Sequence, residues 1–361
     1  MKKLPGLFFC FFHYLCSAQT EPGNTGHISA ESIKLHYGTI VIHTPSVKNV
    51  AGARPYGAEV EFSRMDIDSS AYSSCNCFPR YGVALSYFNF DNTILGSGEM
   101  LSYFIEPSYP LSNTTRFNLR GNAGLVYASN PFDSVKNTDN KSYTTHVNPY
   151  LQVGIGITQV ISQHLALAFM ASFQHFSNGA YKEPNRGVNW LTGSLGLVYS
   201  QQKNTLSRYK KTRFTGWRNK KTNTDAGIFI VPGQGYNSKV MAKRVFLGGG
   251  FIEANRQYSK ISALVAGTEI YYDHLNGAVA SITKRSSIQA GFQFGHVFLF
   301  NKVTFSQQVG WQVLKANSSA ENLYFRYGLS YRIAKHLIAG INLKAYADNA
   351  DFADFRLGYR F

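Results

Sequence analysis

The chain has 361 residues, 15% aromatic and only 16% charged, with 32 glycines, 23 tyrosines and a formal net charge of +16. A mean hydropathy of −0.19 is too polar for a helical membrane protein, and past the N-terminus no run approaches the ~20 apolar residues of a spanning helix. The same balance suits a membrane β-barrel, in which every second residue faces a polar interior, and the length allows one large barrel or two smaller domains.

The first residues, MKKLPGLFFCFFHYLCSAQT, read as a secretory signal peptide over 1–18. Lys2 and Lys3 supply the positive region, 7–15 form a short apolar core, and Ala18 lies in a small-residue cleavage context. Cleavage there removes Cys10 and Cys16 and leaves Cys75 and Cys77, in SSCNCFPR. With one residue between them a disulfide is expected to be strained. A metal site lacks partner ligands. The pair is therefore read as a loop feature, and neither a metal nor a cofactor is expected.

Alternating segments then follow at regular intervals. Strands are predicted near 33–43, 55–65, 80–90, 98–108, 115–128, 147–160, 163–177 and 188–200. A basic stretch over 203–224, containing RYKKTR and GWRNKK, reads as a linker. Beyond it, strands are predicted near 226–231, 244–252, 259–272, 287–300, 303–314, 323–332, 336–346 and 354–361. The two faces are explicit in several of them. Leu323, Phe325, Tyr327, Leu329 and Tyr331 oppose Tyr324, Arg326, Gly328, Ser330 and Arg332. So many aromatics on one face suit the membrane interfaces of a barrel better than a soluble sandwich. Glu269 falls on the face opposite Ile270 and Tyr272 and reads as an interior charge among arginines. The final strand, DFRLGYRF, places Phe355, Leu357, Tyr359 and Phe361 on one face, resembling the terminal signal that outer-membrane barrels present to the barrel assembly machinery.

The halves also look like copies. YLQVGIGITQVISQHLALAF (150–169) is similar to YFRYGLSYRIAKHLIAGI (324–341), matching Tyr150 with Tyr324, Gly154 with Gly328 and His164 with His336. SLGLVY (194–199) is similar to RLGYRF (356–361). The expected fold is all-β, a transmembrane antiparallel barrel of about eight strands per half. Two tandem barrels, over 19–202 and 225–361, are preferred to one sixteen-stranded barrel.

One segment carries chemistry. LALAFMASF runs into HFSNGAYKEPNRGVN over 175–189. Side chains alternate along a strand, so His175 and Ser177 share the face of Phe173, Ala171, Phe169, Leu167 and Leu165. That is the greasier face, and a histidine–serine pair at its end is a hydrolytic site aimed into a membrane. With the N-terminus of each half in the periplasm, odd strands run outward and the seventh ends at the outer leaflet, which is built of lipopolysaccharide. The second half has AYADNADFAD at the corresponding place and no such pair.

This stretch resembles the active-site strand and loop of the PagL-type lipid A 3-O-deacylases, eight-stranded outer-membrane barrels with His-x-Ser-Asn followed by Asn-x-Gly and then an acidic residue. His175, Ser177, Asn178, Asn185 and Gly187 match. The resemblance covers roughly 30–200 and implies an outer-membrane esterase that removes an acyl chain from lipid A, with Ser177 as nucleophile and His175 as general base. The family's glutamate position holds Asn189. An asparagine can orient the imidazole through its oxygen but brings no charge. Glu183 in the same loop is the alternative third member. Asn178, Asn185 and the backbone near Gly179 are candidates for oxyanion stabilisation or positioning. A basic surface suits lipid A phosphates, whereas an exported barrel rarely meets nucleic acid. A barrel of a different class, structural or pore-forming with a relic site, is the alternative.

Overall fold

The structure is a computed structural model that describes residues 26–179, 181–204, 206, 209–211, 222–231, 236–237, 242–276, 287–300, 302–315, 321–346 and 349–361. The segment read as a signal peptide and most of the basic linker lie outside these residues. The first eight strands are β1 (His27–Ile40), β2 (Tyr56–Asp66), β3 (Phe78–Asn89), β4 (Ser97–Pro110), β5 (Thr115–Ala128), β6 (Val147–Val160), β7 (Leu165–Phe176) and β8 (Val188–Ser200). Each pairs antiparallel with its sequence neighbour, and β1 pairs with β8 from Ala30↔Ser200 to Ile40↔Trp190. That last ladder closes an eight-stranded barrel, so no strand edge is left unpaired in the hydrocarbon.

The second ring comprises β9 (Asn223–Ile230), β11 (Ala242–Gln257), β12 (Ser262–Asn276), β13 (Ile288–Phe300), β14 (Val303–Leu314), β15 (Leu323–Arg332), β16 (Leu337–Tyr346) and β17 (Asn349–Arg360). β9 pairs with both β11 and β17 and closes it. A two-residue strand, β10 (Tyr236–Asn237), adds only to the start of β11. Two separate closures exclude the sixteen-stranded ring. No helix among the described residues is long and apolar enough to cross a membrane.

Predicted and observed strands agree closely, and β1 shows where alternation stops being readable. It starts at His27, six residues before the predicted 33. Ile28, Ala30 and Ser32 point inward there, but Ser29 and Glu31 on the other face are polar, so no apolar stripe marks the strand. Cys75 and Cys77, read from the sequence as a loop feature, are joined in a disulfide. The disulfide links the end of α1 (Ser69–Cys75) to the residue before β3. The side chain of Asp68 caps α1 by accepting from the Ala71 N–H at 2.9 Å.

The interior of the first barrel is layered. One layer is ionic: Lys34, Arg80 and Arg120 interleave with Glu59, Glu61 and Glu106. Arg120 reaches all three carboxylates, at 3.3, 2.5 and 3.1 Å respectively, and stacks 3.9 Å from the Phe104 ring centroid. Three cations and three carboxylates leave the layer formally neutral, which is what makes their burial tolerable. The second layer is apolar, built from Phe88, Phe90, Met100, Val126, Tyr150, Phe176, Val188 and Trp190. In the second barrel the interior charge Glu269 is gripped by Arg326 and Arg356, at 2.8 and 3.0 Å.

The repeat is visible at equivalent turns. In one barrel His164 Nδ1 donates to the Ser200 carbonyl at 2.9 Å, with the ring stacked on Tyr199; in the other His336 Nδ1 donates to the Arg360 carbonyl at 2.7 Å, stacked on Tyr359. Tyr199 therefore corresponds to Tyr359. The alignment of SLGLVY with RLGYRF is out of step by two residues, because short alternating strands match one another at any even offset.

Candidate active site

His175 is the penultimate residue of β7 and lies directly across the ladder from Asn189 on β8 and Leu151 on β6. The alternating pattern separates the two jobs of this strand end. Phe176 points inward, fully buried, packing against Phe90, Tyr143 and Trp190 at ring-centroid distances of 5.8, 5.2 and 5.9 Å. Val188 and Trp190, flanking Asn189, are buried on the same side. With its neighbours anchored in this apolar layer, the outward row of Leu151, His175 and Asn189 is held by strands rather than by a loop. Below it on the outer face lie Phe173, Val153 and Leu191, all exposed.

His175 Nε2 is 3.0 Å from Ser177 Oγ, and His175 Nδ1 is 2.5 Å from Asn189 Oδ1. A side-chain amide oxygen cannot donate, so Nδ1 carries the proton and Nε2 is the acceptor facing the serine hydroxyl. That is the tautomer a general base for Ser177 requires.

The loop from 178 to 187 wraps this pair. The Asn178 side-chain oxygen accepts from Tyr181 N–H at 3.1 Å and its amide donates to the Lys182 carbonyl at 2.7 Å. Asn178 N–H donates to Asn185 Oδ1 at 2.9 Å. This fixes the Asn185 amide with its Nδ2 buried and without a hydrogen-bond partner among the described residues. Asn178 therefore knots the loop, whereas Asn185, bonded to the residue that follows the nucleophile, presents an unused donor. Gly179 takes a positive φ of 64° at the turn. The Glu183 carboxylate accepts from Asn185 N–H at 2.9 Å, so it braces the loop, and the position next to His175 Nδ1 belongs to Asn189. Farther along, Arg186 and Gly187 donate to the Lys141 and Ser142 carbonyls at 3.0 and 2.7 Å. Gly187 has φ 76°, and a Cβ there would stand 2.6 Å from His175 Cε1.

One neighbour, read from the sequence only as a loop or lumen histidine, joins the site. His43, just beyond β1, has Nδ1 2.9 Å from Asn189 Nδ2 and Nε2 2.7 Å from the Arg186 carbonyl oxygen. It lies 146 residues before Asn189, so no local spacing could associate the two; only the closing ladder between β1 and β8 does. His36 instead points into the barrel, edge-on to Phe88. Among the described residues no cluster of three or more His, Cys, Asp or Glu has the arrangement of a metal site.

Two family models match the chain. One is described as lipid A 3-O-deacylase (PagL) and matches residues 56–198; the other is described as acyloxyacyl hydrolase, C-terminal domain, and matches 222–361. The chain belongs to the PagL family. The likeness thus extends past the first barrel, where the sequence motifs had confined it, into the second. PagL membership brings an outer-membrane location and, in general terms, an ester-hydrolase class. Among solved structures, Neisserial surface protein A is matched at 9% identity with a TM-score of 0.32, over 49% of this chain and 99% of that one. A triple mutant of the Rhodopseudomonas blastica porin is matched at 10% identity with a TM-score of 0.18, over 93% and 99%. No curated protein matches the chain.

Proposed function

We propose that this PagL-family protein hydrolyses an ester-linked acyl chain of lipid A at the outer leaflet, with Ser177 as nucleophile, His175 as general base and Asn189 as the group that orients the imidazole. The observation that supports this best is the continuous contact from Ser177 Oγ through His175 to Asn189 Oδ1 on the lipid-facing side of the barrel. In the first step Ser177 Oγ bonds to the ester carbonyl carbon while His175 Nε2 takes its proton. Asn185 Nδ2 and the backbone near Gly179 are the donors available to the oxyanion of the tetrahedral intermediate. Its collapse breaks the bond to the sugar oxygen, which receives the proton from His175 and leaves as an alcohol. Water, deprotonated by the same nitrogen, then releases the fatty acid from Ser177. The departing chain runs naturally over Phe173, Val153 and Leu191, whose apolar side chains adjoin the site.

In this reading the first barrel is the catalytic unit. Basic residues near the membrane surface would pair with the lipid A phosphates. Lipid A recovered from cells expressing the protein should lose one acyl chain by mass spectrometry. The Ser177→Ala and His175→Ala variants should lose at least ~10³-fold in rate while retaining the heat-modifiable gel mobility of a folded barrel, because neither side chain supports the interior. Native-like deacylation by Ser177→Ala would sink the mechanism. A native chain that leaves lipid A intact would favour a structural barrel with a relic site.

A further inference from the structure

An asparagine in a carboxylate's place raises an orientation problem that a carboxylate does not have. Either oxygen of a glutamate accepts from an imidazole N–H, whereas a carboxamide has one end that accepts and one that donates. If the Asn189 amide turned over, Nδ2 would face His175 Nδ1 and force that nitrogen to accept. The proton would then sit on Nε2, pointing at Ser177, and the base would be lost. Something must hold the amide the productive way round. We propose that His43 is the positioning residue that does so, completing a directed chain of Arg186 carbonyl, His43, Asn189, His175 and Ser177. This rests on the hydrolase reading above.

The direction of the chain follows from its anchored end. A backbone carbonyl only accepts, so the Arg186 oxygen, 2.7 Å from His43 Nε2, places the His43 proton on Nε2. The competing contact, from His43 Nδ1 to the Val41 carbonyl, is at 3.5 Å and is much the weaker. His43 Nδ1 is then an acceptor and takes the N–H of Asn189 Nδ2 at 2.9 Å. Asn189 Oδ1 is thereby turned to His175 Nδ1 at 2.5 Å, and His175 Nε2 to Ser177 Oγ at 3.0 Å. Backbone geometry supports the arrangement: Val41 N–H donates to the Asn189 carbonyl at 2.8 Å, which carries the end of β1 alongside β8 and brings His43 to the amide. Every donor in the chain has one acceptor, and reversing the chain as a whole would leave His43 Nε2 without the proton it gives to the Arg186 carbonyl.

The test is a double-mutant comparison with lipid A deacylation as readout. In the native chain His43→Ala should lower kcat about tenfold or more, the factor that goes with losing one uncharged hydrogen bond, with KM unchanged because His43 does not touch substrate. In the Asn189→Glu background the same change should cost less than about twofold, since a carboxylate has no orientation to hold. His43→Gln, whose side-chain oxygen can accept from Asn189 Nδ2, should recover part of the loss. An equal loss in both backgrounds would mean that His43 only supports the fold and would overturn the proposal, as would no loss in the native chain. The 15N shifts of His175 give a readout independent of turnover: Nδ1-protonated in the native protein and a tautomer mixture in His43→Ala. An unchanged tautomer also overturns it. Failure of the underlying reading has a different signature, either activity in Ser177→Ala or none in the native chain.

Discussion

At position 189 an amide stands where the PagL pattern has a carboxylate, and beyond the orientation that the amide must keep, the consequence is one of charge. Asn189 Oδ1 meets His175 Nδ1, so the orienting hydrogen bond is kept. What is missing is the negative charge that would stabilise the imidazolium formed as Ser177 loses its proton. Charge-assisted hydrogen bonds are roughly twice as strong as neutral ones. Asn189→Glu should therefore raise kcat by about tenfold, worth ~1.4 kcal/mol in the transition state. Asn189→Ala should lower it by about 10²-fold, and Glu183→Ala by much less, because Glu183 engages the Asn185 backbone rather than the imidazole. Rates of the three single variants decide this; a Glu183→Ala loss exceeding that of Asn189→Ala would reverse the assignment. Gly187 is constrained twice, by its positive φ and by the His175 ring beneath it. Gly187→Ala should cost about 1–2 kcal/mol in backbone strain and also push the imidazole off Ser177, so kcat should fall with the barrel still folded by gel mobility.

At the level of the strands, alternation lets one element serve two environments. β7 turns Ala166, Ala168, Met170, Ser172 and Gln174 inward and its site-bearing face outward. The interior is thereby isolated from the chemistry, and its ionic layer is structural. Arg120 is the member that touches Glu59, Glu61 and Glu106 together. Removing it leaves three buried carboxylates against two cations, and breaking a buried ionic cluster at one partner typically costs about 3–5 kcal/mol. Arg120→Ala should accordingly lower the unfolding midpoint in urea titrations of the reconstituted protein, with little change in kcat for the molecules that remain folded. A variant as stable as the native chain would show that the layer is not a cooperative unit.

For the whole molecule, two eight-stranded closures mean two narrow interiors. Rings of this size are just wide enough for their own side chains to fill. The Arg120 layer occupies the first, and Arg326, Arg356, Glu269 and Asp354 occupy the second. The full-length protein in planar lipid bilayers should therefore show no steady porin-like conductance. A large, stable conductance would argue that the halves open into a single wide ring. The described part of the connector adds a link on the side of α1: Tyr209 OH donates to the Ile67 carbonyl at 3.2 Å and its ring packs against Tyr72 and Phe78. Tyr209, within the segment read as a basic linker, is thus packed against the first barrel.

By itself the sequence determined the architecture that depends on period: the strands, the two halves, the inward and outward faces, and the placing of His175 and Ser177 together on the outward one. These are legible because side-chain direction alternates strictly along a strand, so apolar and polar residues record which face meets lipid. Where the outward face is polar, as at 27–32, no apolar stripe records it. Only the tertiary structure decided how many rings close, since β1 could pair with β8 or with a strand of the other half without any change in pattern. It also decided which nitrogen meets which oxygen. The ladder between β7 and β8 sets Asn189 opposite His175, and the closure of β1 on β8 delivers His43 across 146 residues. Ring closure and hydrogen-bond direction are relations between distant segments, and no spacing within one segment encodes them.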